Sequence, residues 1–118
     1  MTPEEILSYP AKILTQEQRE HYFEYGYVGI EDLVPSETLK LIKLVTSEFV
    51  EKSRDVTESN NVFDIGPGHS YENPVLRRLK SPDENHREYW NFSKGLMADV
   101  ASDLVGPNVT FHHSKLNF

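Results

Sequence analysis

The sequence contains no cysteine. That excludes a disulfide framework and any thiolate metal site. No apolar run is long enough to cross a bilayer as a helix. The first residues, Met1-Thr-Pro-Glu-Glu5, are acidic where a secretory leader would be basic, so a cytoplasmic protein is the expectation. Basic residues are scarce: 12 Lys and Arg stand against 19 Asp and Glu, for a net charge of −7. A surface for nucleic acid or anionic lipid needs a basic stripe, which this balance argues against. There is also no Gly-rich phosphate loop, no Ser-His-Asp set, no nucleophile elbow, no internal repeat and no low-complexity tract. Asn91-Phe-Ser and Asn108-Val-Thr match the glycosylation acceptor pattern and, without a secretory route, read as chance matches.

What is present is ordinary for a folded chain. The 118 residues give room for one domain or part of one, and the 37% hydrophobic and 26% charged content suits a globular fold rather than disorder. Thr2-Pro-Glu-Glu5 opens a short helix that Pro10 ends. Thr15-Gln-Glu-Gln18 is a capping box starting a helix to Tyr25, with Gly26 placed to close it. Tyr27-Val-Gly-Ile30 predicts a short strand. A helix from Pro35-Ser36, capped by Ser36, runs to about Lys52 with Leu39, Ile42, Val45 and Phe49 as its apolar face. Residues 51–61 are polar and predict a loop. Val62-Phe-Asp-Ile65 predicts a strand broken by Gly66-Pro-Gly68, and Pro74–Leu79 a strand or turn. A long helix follows from Asp83 to Leu104, buried along Tyr89, Phe92, Leu96, Val100 and Leu104 and closed by Gly106. Val109–Phe118 is the last expected strand. This order of elements is an α+β pattern, with helices covering one face of a sheet.

Several groups invite a chemical reading. Five histidines suggest a metal. A two-histidine, one-carboxylate iron site needs His-x-Asp/Glu and a distant His, which His86-Arg-Glu88 with His112 or His113 matches in form. Residues two apart at a helix start point to different faces, so a solvated helix terminus is the preferred reading. His112 and His113, adjacent in an expected strand, should face opposite sides. Their strand would place Phe111, His113, Lys115 and Asn117 on one face and Thr110, His112, Ser114, Leu116 and Phe118 on the other. A His, a Lys and an Asn in a row suit an exposed face or a polar pocket, the exposed face being the commoner. Arg77-Arg78 could bind a dicarboxylate or phosphate, or simply face some of the many surface acids. Tyr22, Phe23, Tyr25 and Tyr27 read as core rather than as a ligand cage.

Leu14-Thr-Gln-Glu-Gln-Arg19, Phe23-Glu-Tyr-Gly-Tyr-Val-Gly-Ile30 and Leu33-Val-Pro-Ser-Glu37 resemble the opening of the phytanoyl-CoA dioxygenase family. Leu104-Val-Gly-Pro-Asn-Val109 and the following His-His-Ser-Lys-Leu-Asn-Phe118 resemble the same family's Gly-Pro turn and next strand. The ectoine hydroxylases within it carry a similar His-Gln-Ser-Arg-Ile-Asn strand. The resemblance spans nearly the whole chain. It implies a non-haem Fe(II), 2-oxoglutarate-dependent oxygenase of a small organic substrate, on a double-stranded β-helix, or jelly roll. The chain would supply the helical layer and first strands. The family's iron ligands, His-x-Asp and a distal His, would lie beyond Phe118, so the fragment itself is expected to be inactive and to hold no iron tightly.

The resemblance also implies roles. His113 matches a glutamine that contacts substrate in ectoine hydroxylases. Lys115 matches a position that contacts 2-oxoglutarate, where phytanoyl-CoA dioxygenases have a methionine. Arg78, or its neighbour Arg77, matches a basic 2-oxoglutarate contact. On this reading the face of His113, Lys115 and Asn117 looks into the barrel's pocket. A chain ending in mid-strand on Leu-Asn-Phe reads as one that continued. The alternatives are a small non-catalytic α+β protein pairing Val109–Phe118 with a partner chain, and a decayed oxygenase kept for binding.

Overall fold

A computed structural model describes residues 1–118. The chain is mixed helix and sheet, α+β in class, with six α-helices and one three-stranded antiparallel sheet. None of its helices is long and apolar enough to cross a membrane. It divides into two compact units, Met1–Val34 with Phe92–Phe111, and Pro35–Asn91 with His112–Phe118.

The first unit holds α1 (Pro3–Ser8), α2 (Gln16–Tyr25) and α6 (Ala98–Val105). Both early helices start as their sequences require. The Thr2 hydroxyl accepts the Glu5 N–H while the Glu5 carboxylate accepts the Thr2 N–H, and Thr15 and Gln18 repeat the arrangement. Gly26, at φ 80°, closes α2 in the left-handed region that a side chain would resist.

Polar groups organise this unit. Arg19 on α2 is 1% exposed. Its guanidinium donates to the carbonyls of Ile6, Tyr9 and Asp103 and to the Gln16 side chain. The Asp103 carboxylate accepts the backbone N–H groups of Lys12, Ile13 and Leu14 at 2.8, 2.8 and 2.9 Å. Burial works to raise the Asp103 pKa. The three N–H groups and the positive charge of Arg19 outweigh it and hold the carboxyl below its ordinary value.

Three expectations for this part of the chain fail. Tyr27–Ile30 forms no strand, because β propensity cannot act without a neighbouring strand to take its N–H and C=O groups. Tyr25 and Tyr27 are not core: they are 59% and 65% exposed, and the His21 ring lies 4.6 and 5.2 Å from theirs. The expected helix over 83–104 is broken into α4 (Pro82–Asn85), α5 (Arg87–Phe92), a π-helical segment (Ser93–Met97) and α6. His86 is extended (φ −155°, ψ 131°), and Gly95 leaves helical geometry at φ −92°, ψ −109°. The kink at Gly95 ends the single helical stripe expected from Tyr89 to Leu104. The buried residues of α6 are accordingly Ser102 and Asp103, and Val100 and Leu104 are only half-buried.

In the second unit α3 (Ser36–Ser53) packs on the sheet β1 (Phe63–Ile65), β2 (Leu76–Lys80), β3 (Lys115–Asn117), in that order. Val45 and Phe49 of α3 meet Leu79 and Tyr89, with Ile42, Val62, Phe63 and Leu116 around them. Leu39, expected on this face, is 44% exposed. Ser36 is the first helical residue rather than the cap, which is Pro35, and no side chain caps α3. The Tyr89 hydroxyl shares a 2.7 Å hydrogen bond with Thr46. Burial raises the Tyr89 pKa, against the pull of that bond.

The last strand is shorter than Val109–Phe118. Lys80 pairs with Lys115, and beyond that pair Ser81 turns into the left-handed region (φ 46°) and the chain enters α4. No β2 backbone remains for residues 109–114 to pair with.

Candidate functional site on the polar face of the sheet

Alternation along β2 sorts the sheet into two faces. Leu79, fully buried, is flanked by Phe63 on β1 and Leu116 on β3. Arg78 is flanked by Asp64 and Asn117, and Lys80 faces Lys115. Because successive side chains of a strand point to opposite sides, Asp64, Arg78, Lys80, Lys115 and Asn117 share the face opposite the core.

Two shallow clefts open on this face. Arg78, Lys80, Ser81, His113, Ser114 and Lys115 line one. Asp64, Arg77, Arg78, Asn117 and Phe118 line the other. The three residues singled out from the sequence, Arg78, His113 and Lys115, therefore meet in one cleft, and Arg77 lies in the adjoining one. His113, Lys115 and Asn117 are all exposed, as the commoner of the two readings has it, and they border shallow polar clefts.

The first cleft carries three permanent cations and no carboxylate among its lining residues. Arg78 donates through Nη2 to Asp64 at 3.2 Å, while its Nε is buried without a partner. An unmade bond at a buried guanidinium nitrogen is costly. The Lys80 ammonium donates to the Asn60 carbonyl at 2.8 Å. This donor set suits an anion with carboxylate-like oxygens, which accept hydrogen bonds and offset positive charge.

Sequence reasoning missed Lys80 and Asp64. The signal was available in Arg78-Leu-Lys80, which on a strand puts both cations on one face.

No three or more His, Asp or Glu side chains come together as a metal site. His86 Nδ1 accepts the Glu88 N–H at 3.1 Å, and the Glu88 carboxylate lies 3.6 Å from Arg87 Nε. His112 and His113 do not take opposite faces, because they precede the strand. Their rings meet edge to face, 4.4 Å apart between centroids.

No protein-family model, no curated protein and no solved structure matches the chain.

Proposed function

We propose that the polar sheet face binds a carboxylate of 2-oxoglutarate, and that the chain is the front part of an Fe(II)/2-oxoglutarate-dependent oxygenase of the phytanoyl-CoA dioxygenase kind. It would contribute the helical layer and first strands of a jelly roll. The observation that carries this reading is the meeting of Arg78, His113 and Lys115, which the resemblance selected one by one, in a single cleft with a surplus of positive charge. In this reading Arg78 and Lys115 hold a carboxylate, Lys80 adds charge, and His113 meets the organic substrate at the rim. The iron belongs to ligands outside residues 1–118, so no metal step is assigned to these residues.

Each partly exposed ion pair contributes about 1 kcal/mol or less, and salt weakens it. Three such contacts sum to about 3 kcal/mol at most, so the dissociation constant is on the order of 10 mM or weaker. Equilibrium titration with 2-oxoglutarate tests this. Saturable binding that weakens with added salt and is lost in Arg78→Ala and Lys115→Ala supports the reading. Binding indifferent to both substitutions, or no binding, contradicts it.

A second reading rests on the sheet order. β3 is an edge strand with a neighbour on one side only, and such an edge is a template for strand addition. A well-behaved homodimer in size-exclusion chromatography, paired through β3 (Lys115–Asn117) rather than the longer expected strand, would favour it. A monomer that binds 2-oxoglutarate would favour the first.

A further inference from the structure

The cleft has two walls of different origin. Lys80 and Ser81 come from the end of β2, whereas His113, Ser114 and Lys115 come from the entry to β3. The sheet ladder secures only Lys115 onward, so it does not fix His113 and Ser114. Something else must hold the second wall against the first.

That role falls to Asp83, on the first turn of α4. The Ser114 hydroxyl donates to the Asp83 carboxylate and accepts the Asp83 N–H at 3.4 Å. Helix α4 is itself tied to the end of β2, because the Asn85 side-chain amide donates to the carbonyls of Lys80 and Ser81 at 3.0 and 2.9 Å. The Glu84 N–H also donates to the Ser81 carbonyl at 3.0 Å. Asp83 does not line the cleft. Both the proton and a lone pair of the Ser114 hydroxyl are engaged by Asp83.

We infer that Asp83 is a positioning residue, which acts through Ser114 to hold His113 and Lys115 at the distance from Arg78 and Lys80 that the anion requires. This inference rests on the proposed carboxylate-binding role of the cleft.

The sign of its effect separates it from simple electrostatics. Asp83 is a negative charge close to an anion site. If charge alone mattered, removing it would tighten anion binding. If the brace matters, removing it loosens the wall and weakens binding.

The test is the dissociation constant of 2-oxoglutarate for the wild-type chain, Asp83→Ala, Asp83→Asn and Ser114→Ala, with thermal unfolding followed in parallel. Asn keeps an oxygen to accept the Ser114 hydroxyl and removes the charge. The expected result is that Asp83→Ala and Ser114→Ala bind about tenfold more weakly, that Asp83→Asn binds within about twofold of wild type, and that all remain folded. Equal or tighter binding by Asp83→Ala overturns the inference and leaves the carboxylate site standing. If both brace-breaking variants unfold, Asp83 is a folding determinant and not a positioning residue, which also overturns it. If the wild-type chain binds no 2-oxoglutarate, the site itself fails and the inference falls with it.

Discussion

Lys80 and Lys115 stand directly opposite each other across the β2–β3 ladder. Like charges so placed repel, and an opposite pair at the same position attracts. In a chain with a surplus of seven negative charges, such a pair is not forced by composition. Lys115→Glu should therefore raise stability by roughly 0.5 kcal/mol and abolish 2-oxoglutarate binding. Urea unfolding and ligand titration of this variant check the two halves. A loss of stability with binding intact would mean that the pair is not arranged around an anion.

Asp103 should be the most sensitive carboxylate in the chain, since three backbone N–H groups depend on it. Replacement by alanine leaves them without their acceptor and should cost about 3 kcal/mol or more, with asparagine intermediate. The carboxyl is held below its ordinary value. Below the ordinary range the unfolded chain binds the proton first, so stability rises with pH there. The Asp103 contribution is thus complete above about pH 5 and lost as pH falls through its folded pKa. Acid unfolding should be correspondingly shallower in Asp103→Asn.

Tyr89 predicts the opposite limb. Its phenol is held above its ordinary value, chiefly by burial. Above about pH 10 the unfolded chain loses the proton before the folded one does, so stability falls as pH rises. Tyr89→Phe should remove this alkaline loss and, at neutral pH, cost about 1 kcal/mol for the Thr46 hydrogen bond. Unfolding midpoints measured between neutral pH and pH 11 show both effects.

Arg19 should tolerate no neutral replacement. Arg19→Met would strip the buried carbonyls of Ile6 and Asp103, and the part-buried carbonyl of Tyr9, of their shared donor, at a cost of about 3 kcal/mol or more. Lysine should fare little better, since an ammonium cannot reproduce the guanidinium fork. Urea unfolding of the two variants checks this, and a lysine variant as stable as the wild type would contradict it.

The legible parts of the fold were those fixed within a few residues. The N-cap at Thr2, the capping box at Thr15 and the glycine after α2 depend only on neighbours three or four positions away, and they form as read. Val45 and Phe49 fell into the core because the helical period placed them together. What escaped depends on distant partners. Tyr27–Ile30 had strand composition but no strand beside it. The break at His86 gave no local signal, and the kink at Gly95 gave only an isolated glycine. Burial of Arg19 and Asp103 ran against their residue types, because the carbonyls and N–H groups that satisfy them come from elsewhere in the chain. Within the candidate site, Arg78, His113 and Lys115 were reached through the resemblance. Lys80 was signalled by the Arg78-Leu-Lys80 alternation but not drawn out, whereas Asp83 needed the turn at Ser81 to be seen.

The most direct test of the carboxylate site is a chemical-shift map of the backbone amides of the 118-residue chain as 2-oxoglutarate is added. Saturable changes confined to residues 78–81 and 113–117, absent when Arg78 is replaced by alanine, are the predicted result. Changes scattered over the surface, centred on another part of the chain, or unaltered in Arg78→Ala would contradict it.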